Sequence, residues 1–281
     1  MDNCTSIFYS KAYARFIEES ENVKVKFFKF SEGNNHACFP CILKNGILSS
    51  LRYGGMYTNC NNVSFAESAN RSFKIYCEKN NIKTVKIREN PFIQTIKIGK
   101  AIKKEPFVCI DLTKNELELN KAISKKHAKN IQNAVNQELT FSEIKDLKYL
   151  KVFYRFYKDM LIKKSAVPKR FTYFSNLFLY LKKNIQLVCV KDNGVILAVS
   201  IILRSDTAVF MLYGGMSETG YKKHAKHFMI HNLILEYKKR GYKQLVLGTG
   251  IKGKDSVYRF KRGFTDKDSY IYTYQDRLLR K

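Results

Sequence analysis

The densest chemistry in this chain lies in one run near its C-terminal end. Gly248-Thr249-Gly250-Ile251-Lys252-Gly253-Lys254-Asp255-Ser256 leads directly into Val257-Tyr258-Arg259-Phe260-Lys261-Arg262-Gly263-Phe264. Backbone N–H groups in a Gly-rich loop ahead of a helix can bind an anion, and Gly248 and Gly250 are the candidates for that role. The loop fits G-x-G-x-x-G and falls one residue short of a P-loop, which needs Ser or Thr straight after its Lys. Asp255 stands there instead and would repel the phosphate. Nucleotide hydrolysis and dinucleotide binding are therefore not expected. Behind the loop, three cations lie among aromatic rings. They suit either an anionic ligand or a surface helix whose cations snorkel while its rings fill a core.

Other candidates are weaker. His224, His227 and His231 share one helix face, but His227-Phe-Met-Ile-His231 lacks the Glu of H-E-x-x-H. Solvated or ligand-facing imidazoles are expected rather than a zinc site, and no metal is expected. Cys38-Phe-Pro-Cys41 is a lone C-x-x-C inside a strand pattern, so buried thiols are expected. The segment around Lys125, Lys126, His127, Lys129 and Asn130 is almost free of acids, which suits a phosphate-facing helix.

The elements that position these residues come from a duplication. Tyr-Gly-Gly-Met occurs at Tyr53–Met56 and again at Tyr213–Met216, 160 residues on. Under that shift Ala69 falls on Met229, Phe73 on Leu233, Ile75 on Leu235, Val85 on Leu245 and Ile87 on Leu247. Apolar meets apolar first at helical spacing, then at strand alternation. Each copy reads as a hairpin, a Gly-Gly turn, a helix and a strand. Asn45-Gly46 and Asp192-Asn193-Gly194 mark the hairpins. The second copy opens with a strand at Phe107–Leu112 and a long basic helix from Asn115 to Asn136. Helices at Tyr149–Lys163 and Phe171–Lys183 follow, and later one of roughly twenty residues ending at Lys239-Arg240-Gly241. Pro91 and Pro106 place the boundary near 105, giving domains 1–105 and 106–281.

With 51 basic and 24 acidic residues the net charge is +27, which favours polyanionic partners such as RNA, phosphosugars or an anionic membrane. Seven Cys without regular spacing suit a reducing cytosol. The opening segment carries Lys11 and Arg15 and no long apolar run, so no secretory leader is expected. No stretch reaches the ~18 apolar residues of a membrane span.

Together the repeat and motifs resemble the FemAB-like transferases, built from two tandem GNAT-type (N-acetyltransferase-like) domains. The resemblance covers nearly the whole chain. It rests on Phe39-Pro40 and Ser49-Ser50-Leu51-Arg52-Tyr53-Gly54-Gly55 in the first half. In the second half it rests on Ile110-Asp111-Leu112, Ser124–Ile131 with Ala134, Phe153–Met160, Leu212-Tyr213-Gly214-Gly215 and Tyr258–Phe264. It implies an α/β fold with mixed sheets, each splayed at its Tyr-Gly-Gly turn. It also implies transfer of an aminoacyl or acyl group onto an amine of a cell-envelope precursor, such as a peptidoglycan peptide. Aminoacyl-tRNA would be the co-substrate, with acyl-CoA as the alternative and no permanently bound cofactor. The acceptor would bear phosphate. The protein would be cytoplasmic, with peripheral contact at the inner face of the membrane.

Carried onto this chain, Lys261 would meet acceptor phosphate or transition-state charge, and Tyr213 would line the acceptor site. Lys125, Lys126, His127, Lys129, Asn130, Tyr173, Gly214, Gly215, Gly248, Gly250, Tyr258, Arg259 and Arg262 would bind substrate. There are departures. Ala128 stands where family members often have Arg, and Asn90-Pro91 replaces an Asp-Pro pair, with Glu89 adjacent. Ordinary GNAT enzymes hold the CoA pyrophosphate with R/Q-x-x-G-x-G/A; this chain has Ser217-Glu218-Thr219-Gly220 there, which argues against acyl-CoA. No general base stands out. A CoA-dependent N-acyltransferase acting on an amino sugar, and a non-catalytic RNA-binding protein on the same fold, remain alternatives.

Overall fold

The computed structural model describes Cys4, residues 6–144 and residues 146–278. The first residues of the segment read for a leader lie outside these. The chain forms two compact units, 1–105 with 270–281 and 106–269.

Unit 1 begins with α1 (Lys11–Glu21), then β1 (Val25–Glu32), β2 (Asn35–Lys44), β3 (Ile47–Ser50) and β4 (Met56–Thr58). After α2 (Val63–Lys79) come β5 (Thr84–Arg88), β6 (Thr95–Ile96) and the start of β7 (Lys100–Asp111). The β2–β3 hairpin turns at Asn45 (φ 52°) and Gly46 (φ 73°), the backbone that two-residue hairpins need. β1 adds antiparallel to β2, a pairing the sequence reading left out. The core joins one face of α2 (Phe65, Ala69, Phe73, Cys77) to alternate strand residues Phe39, Cys41, Val85 and Ile87.

The expected domain 106–281 is corrected at its end. The last strand, β13, pairs antiparallel with β5 from Thr273↔Arg88 to Arg277↔Thr84, and so belongs to unit 1. Its alternation supplies a ladder and a packing face to β5, which decides its allegiance over sequence order.

Unit 2 continues with α3 (Glu116–Ala122), α4 (Lys125–Val135), β8 (Thr140–Ile144), α5 (Leu150–Lys163), α6 (Phe171–Tyr180), β9 (Ile185–Asp192), β10 (Val195–Arg204) and β11 (Ala208–Met216). It ends with α7 (Glu218–Lys222), α8 (Ala225–Lys239), β12 (Gln244–Gly248) and α9 (Ser256–Arg262); β13 spans Ser269–Arg277. Its strands run β7-β12-β11-β10-β9-β8. Only β11 and β12 are parallel, joined through α7 and α8. β10 carries the apolar run Val195–Leu203, buried on both faces from Leu197 to Leu203 as a central strand must be.

Two expected helices are broken. The single helix Asn115–Asn136 is two, because Ile123 is extended and Ser124 Oγ caps α4 by accepting from His127 N. Likewise α7 stops before α8, where His224 adopts φ 55°.

Each of the five apolar pairs matched beyond Tyr-Gly-Gly-Met has the same burial. Ala69 and Met229 are buried, as are Phe73 with Leu233, Val85 with Leu245, and Ile87 with Leu247. Ile75 and Leu235 both face outward, at 51% and 39% exposure, so they mark equal position on the helix rather than the core face. Tyr-Gly-Gly itself differs between copies. In unit 1 it breaks the chain between β3 and β4, with Gly55 at φ 125°. In unit 2 it is not a turn: Tyr213, Gly214 and Gly215 pair with Ile201, Ser200 and Val199 inside β11.

The second pair of glycines is demanded by packing. A Cβ on Gly215 would lie 2.5 Å from the backbone nitrogen of Tyr157 in α5. α5 can therefore rest directly on the strand only where no side chain intervenes. Gly215→Ala is expected to lower the stability of unit 2 by about 1–3 kcal/mol, the usual range for overpacking, read as a lower urea midpoint.

Candidate active site

Unit 2 contains an opening that unit 1 lacks. The β11–β12 ladder lasts for three pairs only, Ala208↔Gln244, Val209↔Leu245 and Phe210↔Val246. Beyond it each strand carries a bulge. β11 slips at Leu212 against β10, where Ile201 faces Tyr213 and Ile202 faces Met211. β12 slips at Leu247 against β7, where Val246 faces Cys109 and Gly248 faces Val108. Bulges bend and twist their strands, so the two part at this point. The backbone of β11 from Met211 onward is left with an edge that β12 does not use.

The matching place in unit 1 is laced shut. After Ile47–Ser49 have paired with Thr84–Lys86, Arg88 N donates to Ser50 Oγ at 2.9 Å. Gly54 N then donates to Arg88 O at 2.9 Å, and Tyr9 Oη donates to Gly55 O at 3.0 Å. Asn90 is buried, with its amide donating to Ser6 Oγ and its Oδ1 accepting from Phe92 N; Glu89 accepts from Tyr272 N at 2.8 Å. Asn90, where the resembled family often has Asp, and the adjacent Glu89 thus serve the fold of unit 1.

Side chains approach the opening in unit 2 from both faces of the sheet. On one face Tyr213 packs edge-on against Phe174, Tyr157 and Tyr173, and its hydroxyl lies 3.2 Å from that of Tyr173. Tyr173, expected to bind substrate, thus orients Tyr213 from α6. On the other face Lys261, on α9, donates to Thr249 O at 2.8 Å just past the end of β12. Lys226, at the start of α8, is buried at 8% exposure and donates to Ser200 Oγ and Val199 O. Sequence spacing gave no sign of Lys226. The only available hint was Ser200, a lone hydroxyl in an apolar strand that needs a buried partner.

Several expected ligand groups face inward instead. The Gly-rich loop is not an open anion site, because Asp255 accepts from Ile251 N, Lys252 N and Tyr258 N within 3.0 Å. The acid that spoils the P-loop pattern is the N-cap of α9, and it also crowds Gly250. Gly248, at φ 79°, has open space where a side chain would be. Tyr258 is buried in the core. Arg262 is bound to Asp268 at 2.8 Å and to the Thr265 and Asp266 carbonyls, holding the α9–β13 loop. Arg259 donates to Lys254 O.

The basic helix is likewise divided. Lys125, Lys126 and Lys129 are exposed, as is Ala128. His127 is buried and its Nε2 donates to Phe260 O at 2.8 Å, tying α4 to the helix that carries Lys261. Gly263 makes room for this: a Cβ there would lie 2.5 Å from the imidazole. Asn130 donates to His227 Nε2 at 3.1 Å, and the two imidazoles meet edge to face at 4.6 Å. Neither His227 nor His231 is the solvated group expected, since burial lowers both pKa values. Among the described residues no His, Cys, Asp or Glu group could hold a metal ion. Cys38 and Cys41 are free thiols that burial pushes up to about 11 and about 12, out of the reactive range.

A cavity of about 410 Å³ opens at the far end of β11, lined by Phe156, Ile162, Met216, Ser217 and the charged Asp159, Lys163 and Glu218. Ser217 Oγ is occupied as the cap of α7, accepting from Gly220 N. Glu218, in the first turn, pairs with Lys163 at 2.9 Å. No helix among the described residues is long and apolar enough to cross a membrane.

Residues 126–262 match the acetyltransferase (GNAT) domain family, just under half of the chain. Among solved structures, FemX shares the fold with a TM-score of 0.71 at 12% identity, covering 96% of this chain and 90% of that one. The C-terminal domain of a putative lysylphosphatidylglycerol synthetase from Agrobacterium fabrum aligns with a TM-score of 0.60 at 13% identity, covering 94% and 86%. A tandem GNAT protein from the clavulanic acid biosynthesis pathway aligns at 0.52 with 6% identity, covering 92% and 84%. No curated protein sequence matches significantly. The domain match and these folds agree with the tandem GNAT, Fem-type resemblance read from the sequence.

The buried imidazoles set a pH limit. Burial first, then His127, His224 and Lys126, depress the pKa of His227 from 6.5 to about 3. An unfolded chain takes up this proton below about 6.5 while the folded one refuses it, so stability present above 6.5 is lost as pH falls towards 3. Thermal melts are expected to fall across that window. His227→Gln should flatten the fall.

Proposed function

We propose that the chain transfers an aminoacyl or acyl group to an amine of a phosphate-bearing cell-envelope precursor, with aminoacyl-tRNA as the donor. The observation that carries the proposal is the parted β11–β12 edge with Lys261 fixed at its mouth. An ester carbonyl laid along that edge would lie where the β11–β12 ladder has ended. The acceptor amine attacks the carbonyl carbon, and the C–O bond to the donor breaks. Negative charge then develops on oxygen. A cation aimed at developing charge is often the largest single catalytic contribution. Lys261 would supply that cation, and its ammonium donates to Thr249 O at the end of β12. Tyr213 would line the acceptor side from the opposite face.

Charge supports the donor assignment. Lys125, Lys126 and Lys129 offer an exposed basic face in a chain of net charge +27. Nucleic-acid backbones are held by such phosphate contacts. The position where GNAT enzymes take the CoA pyrophosphate carries Glu218, whose charge suits the helix start but repels a diphosphate. Peripheral binding to an anionic membrane would follow from the same basic surface. A CoA-dependent reaction on an amino sugar is the rival, favoured by the GNAT domain match itself.

The two are separated by supplying charged tRNA or acyl-CoA with cell-wall and sugar amines and following product mass, with and without ribonuclease. Activity abolished by ribonuclease supports tRNA; activity that survives it with acyl-CoA supports the rival. Lys261→Ala is expected to lower the transfer rate at least tenfold, about 1.4 kcal/mol in barrier, while circular dichroism is unchanged. Undiminished turnover in that variant removes Lys261 from the mechanism.

A further inference from the structure

Lys226 is a buried amine with no carboxylate partner. Its nitrogen meets Ser200 Oγ at 2.5 Å, Val199 O at 3.1 Å and Met229 Sδ at 3.5 Å. None of these carries a charge. Lys261, from α9, is the charged group that acts on it, and it repels. The start of α8 adds positive potential from the helix itself. A buried ammonium in such surroundings is unfavourable, and Met or Leu would fill the same volume without that penalty. The neutral amine fits: its two N–H groups donate to Ser200 Oγ and Val199 O, and the nitrogen keeps a lone pair.

The position of this nitrogen is as informative as its partners. Residue 214 is Gly, and a Cβ there would lie 2.5 Å from Nζ. The amine therefore rests against the backbone of β11 beyond Phe210, the last residue that pairs with β12. No side chain of the strand stands over it. Burial, and after it the charge of Lys261, bring its pKa down from 10.5 to about 7, where a base works best at neutral pH.

We infer that Lys226 accepts the proton of the acceptor amine beside Gly214, in the stretch of β11 that β12 does not pair with, supplying the base that the transfer reaction needs. The inference rests on the proposed transfer. The acceptor arrives as an ammonium and gives one proton to Nζ, leaving a neutral acceptor and a charged Lys226. The freed amine forms the C–N bond as the donor C–O bond breaks. The second N–H proton goes to the departing oxygen, and Lys226 returns its proton to solvent. The nearby charge of Lys261 speeds that return by disfavouring the ammonium.

Two measurements test this, and the first does not depend on the transfer reaction. The full chain is pulsed with N-hydroxysuccinimidyl acetate between pH 5.5 and 9, and each lysine is quantified by peptide mass. Lys226 should acetylate at least tenfold faster than Lys125 at pH 7, with a half-maximal rate near pH 7. An unlabelled Lys226 beside reacting surface lysines overturns the inference. In the second, transfer by Lys226→Met and Lys226→Arg is compared with the parent across pH, each variant being checked for cooperative urea unfolding. The parent rate should rise to a plateau near pH 7, and both variants should lose at least tenfold together with that inflection. A variant that folds and keeps the parent profile also overturns the inference. Should the parent itself transfer nothing, the proposed function falls, and the labelling result still decides whether a neutral amine stands at this edge.

Discussion

Parallel strands that separate give up the ladder between them, and the features that distinguish unit 2 gather around that separation. β11 and β12 hold together for three residue pairs, then bulge in turn at Leu212 and Leu247. A buried backbone group left unpaired costs as much as a lost hydrogen bond. The fold tolerates the opening because each strand keeps its other neighbour, β10 for β11 and β7 for β12. The rest of the unit organises around the gap. Gly215 lets α5 lie on one face of β11, Gly214 admits Lys226 on the other, and Thr249 O orients Lys261 at the end of β12.

Unit 1 shares the hairpin, the helix and the strand after it with unit 2 and makes the opposite choice. Ser50 and Gly54 bind Arg88 across the equivalent gap, and Tyr9 covers Gly55. Two copies of one sequence pattern have thus diverged where the parallel ladder ends. The difference is a serine hydroxyl and one backbone N–H that continue a ladder past its natural end. Equal burial of Ala69 and Met229, or of Val85 and Leu245, shows how little else needed to change.

What could be read from the sequence follows from locality. Hairpins at Asn45-Gly46 and Asn193-Gly194 were legible because their turn chemistry is written in adjacent residues. The repeat was legible because burial constrains both copies alike. The break at Ile123-Ser124 was missed: a cap depends on one serine and the chain direction around it, while the basic pattern runs on across it. The tyrosine-glycine pair read as a turn from composition, and only pairing with β10 makes it strand. Among candidate site residues, Lys261 was singled out by the resemblance, since its aromatic setting suits a snorkelling surface cation as well. His127 was misread because a histidine in a lysine run looks solvated until the carbonyl of Phe260, far along the chain, claims it. Lys226 was invisible, since its partners lie on two strands remote in sequence.

The Gly-rich loop after β12 has one more consequence. Asp255 sits four residues from Ile251 and binds its N–H and that of Lys252. The loop therefore carries its own anion, tethered to it covalently. A tethered ligand competes at an effective concentration set by its leash, not by the surrounding solution. Phosphate, sulfate or nucleotide in bulk must displace this occupant to enter. Asp255 thereby braces the loop, and with it the carbonyl of Thr249 that the loop delivers. Preorganisation of this kind removes the ordering step that a phosphate-gripping loop undergoes at every encounter.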